Sequence, residues 1–106
     1  RTDSMEETMV NHIVMWNFKE DIKADAFDAK MQFLHDKFIA MQGVIPGLLS
    51  ISFSRTYKQG NYDAVLCCMF DSKESEEAYQ INPIHVEVKQ IIGAWAKERA
   101  SADFVC

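Results

Sequence analysis

The chain has little of what disordered, fibrous or disulfide-built proteins are made from. Four glycines and two prolines in 106 residues exclude a collagen-like or low-complexity polymer. Three cysteines, an odd number with Cys67 and Cys68 adjacent, do not form a disulfide framework. They read as small hydrophobes plus a terminal thiol at Cys106, and they point to a reducing, cytoplasmic location. Basic residues are in deficit, 11 against 16 acidic for a net charge of -5, the wrong sign for a phosphate backbone, so nucleic acid is excluded as a partner. Long apolar runs are missing as well. The longest uncharged stretch, residues 38–54, is interrupted by Gln42, Gly43, Pro46, Gly47 and three serines, short of the roughly 20 apolar residues of a membrane-spanning helix. No membrane partner is expected. GxGxxG, P-loop, HExxH, CxxC and GxSxG signatures are all absent, so no cofactor, no metal and no serine-hydrolase chemistry is expected.

What is present fits one domain. Hydrophobic residues make up 48% of the chain, enough to bury a core at this length without staples. Residues 1–8 are polar and mixed in charge. They are expected to be a disordered N-terminal tail or a leftover of processing, with the domain over 9–106. Residues 10–18 (VNHIVMWNF) are β-branched and aromatic without a breaker and predict a strand, with His12, Val14 and Trp16 on one face and Ile13 and Met15 on the other. From about Ala24 to Met41, the apolar residues Phe27, Met31, Leu34, Phe38 and Met41 recur at helical spacing, and Gly43 ends the helix. Leu49, Ile51 and Phe53, alternating with Ser50, Ser52 and Ser54, predict a second strand, and a turn near Gly60 leads to a third over Tyr62 to Phe70. Asp71 or Ser72 caps a short acidic helix. Asn82-Pro83 then starts another after a break near Ile81, with Ile84, Val88, Ile91 and Trp95 as its apolar face to about Lys97. Arg99 to Val105 forms the last strand.

The order β-α-β-β-α-β is the ferredoxin-like α+β motif, a four-stranded antiparallel sheet with both helices on one face. Because the central strands are apolar on both faces, the uncovered face must find a partner. A homodimer through the sheet faces is the expectation.

Few residues can carry acid–base chemistry. His85 falls near the third position of the helix opened by Asn82-Pro83, where the positive helix end disfavours imidazolium and keeps the ring neutral, fit to act as a general base. Tyr79 lies just before the break and can fold toward the same interior. His12, Val14 and Trp16 project from the first strand, Phe27 and Met31 from the first helix, and Trp95 forms an aromatic end wall. Spacing alone leaves an alternative open, in which His12 and His85 are structural hydrogen-bonders and Tyr79 and Trp95 are packing. His35 is off the apolar stripe and reads as surface.

Residues 9–19 (MVNHIVMWNFK), 43–49 (GVIPGLL), 61–63 (NYD) and 78–86 (AYQINPIHV) together resemble the stress-responsive dimeric α/β-barrel family over nearly the whole chain. The resemblance implies a ferredoxin-like dimer whose two sheets form a barrel. The family includes the plant olivetolic acid cyclase, which closes a linear poly-β-keto thioester by aldol condensation without metal or organic cofactor. By that resemblance Tyr79 and His85 are the catalytic pair, His85 removing a proton between two carbonyls and Tyr79 donating a hydrogen bond to the enolate oxygen, with His12 lining the pocket. Three readings follow. One is a dimeric stress-associated protein of unassigned activity that binds a small apolar or oxo-acid ligand. Another is a cofactor-free cyclase or lyase acting on an oxo compound. The third is a monooxygenase of the related dimeric barrels.

Overall fold

A computed structural model describes residues 9–106, and the expected tail, residues 1–8, lies outside the described residues. The elements run β1 (Val10–Phe18), α1 (Glu20–Ala24), α2 (Phe27–Ile39), β2 (Leu48–Arg55), β3 (Ala64–Phe70), α3 (Lys73–Ile81), α4 (Pro83–Trp95) and β4 (Ala96–Val105). The strands form one antiparallel sheet in the order β2-β3-β1-β4, so the α+β, ferredoxin-like architecture expected from the sequence is the observed one. All helices of the motif lie over the face that carries Val14, Trp16, Leu66 and Phe70, all buried. Under them Trp16, Phe38 and Phe53 form an aromatic cluster, with Phe38 and Phe53 stacked at 5.2 Å between centroids. No helix among the described residues is long and apolar enough to cross a membrane.

Four local details differ from the sequence expectation, each for a physical reason. The first helix is two: Ala26 adopts a left-handed conformation (φ 51°) that separates α1 from α2, and nothing in its side chain announces this. In β2 it is Leu48, not Leu49, that joins Ile51 and Phe53 in the core. Leu48 pairs with Phe70 and Ser50 with Met69, so Leu49 is a bulged extra residue turned outward. β3 begins at Ala64 because Asp63 is already committed to the end of β1, its amide donating to the Trp16 carbonyl at 2.9 Å and its carboxylate accepting from the Phe18 amide at 2.9 Å. β4 begins at Ala96, directly after α4, and pairs with β1 along its length.

The caps behave as the residue types dictate. Ser72 Oγ accepts from the Ser75 amide at 3.1 Å and Asn82 Oδ1 from the Ile84 amide at 2.9 Å, with Pro83 as the first residue of α4. Gly47 is left-handed (φ 81°) and close to α3; a Cβ there would clash with the Ser75 side chain.

Candidate functional site

α3 ends and α4 begins at Asn82, and a cavity of about 220 Å3 lies between these helices and the sheet. The sheet contributes His12, Val14, Trp16 and Leu66 to its floor, α2 contributes Phe38, and α4 contributes His85 and Ile92. Gln80 of α3 enters from one side. Lys89, Gly93 and Arg99, all exposed, complete the lining at the mouth. The volume is below the roughly 300–1,000 Å3 of drug-sized sites. An engineered cavity of about 150 Å3 holds a benzene ring, so this one suits a single ring with a short substituent.

His12 is buried, 3% exposed, because alternation along β1 turns it to the helix side. Antiparallel pairing places Asp103 of β4 directly beside it, and the Asp103 carboxylate accepts a hydrogen bond from Nδ1. That bond leaves Nε2 as the atom through which the ring can serve the cavity. Glu76 of α3 brings a second carboxylate to 3.9 Å from Nδ1, and it is itself held by Gln80 Nε2 at 2.6 Å. His12, Glu76 and Asp103 thus place ligand-type atoms within 4.8 Å of one another, a spacing a divalent ion could use. In the arrangement observed, Nδ1 is already satisfied by the carboxylate.

His85 is 7% exposed and stacks on Tyr79, with centroids 3.9 Å apart and planes inclined at 29°. Burial is the main reason its pKa is lowered to about 4, and the charges of Lys89 and His12 push the same way against the backbone of Gln80 and Tyr79. The sequence expectation of a neutral ring therefore agrees in direction, but desolvation rather than the helix end is its largest cause. His85 Nδ1 is buried without a hydrogen-bond partner of good geometry.

Tyr79 is fully buried behind His85 and does not line the cavity. Its ring packs on Phe70 at 4.9 Å and on His12 at 5.9 Å. The hydroxyl lies beside the Cys68 thiol without a well-formed hydrogen bond. Burial drives the phenol well above its ordinary pKa and the Cys68 thiol up to about 12, so both stay neutral. Tyr79 and His85 are brought together as the motif implied, yet as a stack with Tyr79 underneath.

Of the other expected lining residues, Val14 and Trp16 are in the cavity and three are not. Phe27 packs on Phe18 at 5.7 Å and under Arg55, at the far end of the core. Met31 is buried on the β2 side of α2. Trp95 lies against Phe33 at 6.2 Å rather than closing the cavity. All three sit on apolar stripes, which report contact with the core but not with which part of it. Sequence reasoning missed Asp103, Glu76, Gln80, Lys89 and Arg99. The step of four from His85 to Lys89 was readable as one helix face, whereas His12 meets Asp103 only through strand pairing across 91 positions.

Residues 10–106 match the family described as the stress responsive A/B barrel domain. The chain belongs to that family. Among solved structures similar to this A/B barrel is a dimeric protein of unknown function with a ferredoxin-like fold from Bacteroides fragilis (TM-score 0.84, 22% identity, 92% of this chain and 96% of that one). Another is a dimeric ferredoxin-like protein of unknown function from Thermobifida fusca (TM-score 0.79, 22% identity, 93% and 92%). A third is the hydroxynitrile lyase of Passiflora edulis (TM-score 0.78, 10% identity, 94% of each chain). At these identities the likeness is one of fold. No curated protein matches this A/B barrel.

Proposed function

We propose that this A/B barrel binds a small oxo compound in the cavity between sheet and helices and moves a proton on the carbon next to its carbonyl, without a cofactor. The observation that carries the reading is the convergence of two buried imidazoles on one mostly apolar cavity, one neutral and one backed by a carboxylate. His85, kept neutral at physiological pH by burial, accepts the carbon-bound proton. His12, when it carries a proton on both ring nitrogens, donates Nδ1–H to Asp103 and Nε2–H to the carbonyl oxygen, where the hydrogen bond stabilises the developing enolate. Tyr79, expected from the family resemblance to make that hydrogen bond, is instead assigned to holding the His85 ring from beneath.

The test is proton–deuterium exchange at the methyl group of acetophenone, followed by NMR in deuterated buffer. The wild-type protein is expected to accelerate exchange above buffer, His85→Ala to return it to the buffer rate, and Tyr79→Phe to retain it. Wild-type exchange at the buffer rate would overturn the reading, as would full exchange by His85→Ala.

We further infer that two copies pair through the open faces of their sheets. Ile13, Met15, Val65 and Met69 are only half-buried there, and Cys67 and Phe104 are exposed, a contiguous apolar surface in a chain of net charge -5. Sedimentation at micromolar concentration is expected to give twice the chain mass; a monomer would end this inference. The free thiols of Cys67, Cys68 and Cys106 suit a reducing compartment such as the cytoplasm.

A further inference from the structure

The mouth of the cavity carries charge that the proton-transfer reading does not use. Lys89 reaches it from α4, one turn after His85 and on the same helix face. Arg99 reaches it from β4, paired opposite Trp16 and so on the helix-covered side of the sheet. Several other cations are paired, whereas Lys19, Lys58 and Lys73 have no ion pair among the described residues; Lys89 and Arg99 are set apart by lining one cavity. Lys23 pairs with Asp63, Lys37 with Glu87, Arg55 with Asp28 and Lys97 with Glu20. Among the described residues, neither Lys89 nor Arg99 has a carboxylate partner, although acidic residues outnumber basic ones 16 to 11.

Gly93 gives an independent indication that the mouth is kept open. It lies inside α4, one turn beyond Lys89, where glycine costs a helix about 1 kcal/mol relative to alanine. Close packing does not explain it, because a Cβ at Gly93 would meet nothing within 4 Å. What its missing side chain leaves is space in the cavity that Lys89 and Arg99 also line.

We propose that the ligand of this cavity is a small oxo carboxylic acid, its carboxylate held at the mouth by Lys89 and Arg99 and its carbonyl directed inward to His12 and His85. The proposal rests on the reading of the cavity as a ligand site and adds the chemical class. Guanidinium and ammonium groups are both hydrogen-bond donors only, and a carboxylate offers the acceptor oxygens that match them. The apolar floor of Val14, Trp16 and Leu66 takes the hydrocarbon part, and the volume of about 220 Å3 limits it to about one ring. The charge of Lys89 also bears on His85, helping to keep the imidazole neutral. A bound carboxylate would offset that push and make His85 a stronger base when ligand is present.

Titration calorimetry with 3-benzoylpropanoate and with its uncharged primary amide tests this directly. The acid is expected to bind the wild-type protein at least tenfold tighter than the amide, and the preference should shrink with added salt. Lys89→Met and Arg99→Met are each expected to remove most of the preference by weakening acid binding far more than amide binding, with the protein still folded by its melting transition. Equal affinities for acid and amide in the wild type would overturn the proposal, as would a preference that survives both substitutions. Binding is measured here without turnover. A protein that prefers the acid through Lys89 and Arg99 but fails to exchange acetophenone would keep this inference and lose the proton-transfer reading.

Discussion

The two faces of the sheet are built from the same strands and come out differently. On the helix-covered face, His12, Val14 and Trp16 of β1 and Leu66, Cys68 and Phe70 of β3 are all buried within one chain. On the other, Ile13, Met15, Val65 and Met69 remain half-exposed, Cys67 is exposed and Phe104 keeps 47% of its surface in water. Both faces are apolar, but only the first holds polar groups that are buried and aimed into a cavity. One face therefore carries stability and the candidate chemistry, and the other is left for association. Cys67 and Cys68, one residue apart, report on the two environments.

The largest expected effect falls on the covered face. Phe70→Ala removes a fully buried ring in contact with His12 and Tyr79, and should lower stability by about 3–5 kcal/mol in urea unfolding. A loss below about 1 kcal/mol would mean that this face is not the core. Next comes acid. Because His85 titrates near 4 in the folded protein and near the ordinary 6.5 when unfolded, the unfolded chain takes the proton first. Stability is then fully present above pH 6.5 and falls as pH drops from there to 4, by about 3 kcal/mol for this group. The His85→Gln protein should lose that part of the pH dependence, and an unchanged slope would contradict the assignment.

Effects on the open face should be smaller and of another kind. Met15→Lys places a charge in the middle of the proposed interface and should weaken self-association by about thirtyfold or more, with monomer stability altered by less than about 1 kcal/mol. An unshifted sedimentation profile would remove the open face as the contact. The mildest effect is chemical. A thiol reagent should modify Cys67 in the Met15→Lys protein faster than in the wild type if the proposed interface covers it, while Cys68 stays unreactive in both because its thiol is buried and its pKa raised to about 12.

The order of elements was legible in the sequence because each depended on local signals: alternation in β1, helical spacing from Phe27 to Phe38, and Asn82-Pro83 opening α4. Errors of register and boundary arose where a distant partner decided. Leu49 alternates with serines as a core residue would, but pairing with β3 makes it the bulge. Ala26 has no side chain that favours a left-handed backbone, yet it adopts one between α1 and α2. The candidate site divides in the same way. His12, Val14, Trp16 and His85 were legible from strand alternation and a helix start. Phe27, Met31 and Trp95 were not separable from other core residues by periodicity, and Asp103 became a neighbour of His12 only when β4 paired with β1.

The pH profile of acetophenone exchange tests the central claim, that His85 is the proton acceptor in the covered cavity, most directly. Exchange due to the wild-type protein should be level from neutral pH down to about 5 and fall to half near pH 4, following the lowered pKa of His85, and should vanish in His85→Ala. A midpoint near the ordinary histidine value of about 6.5, or a profile unchanged by His85→Ala, would contradict the account.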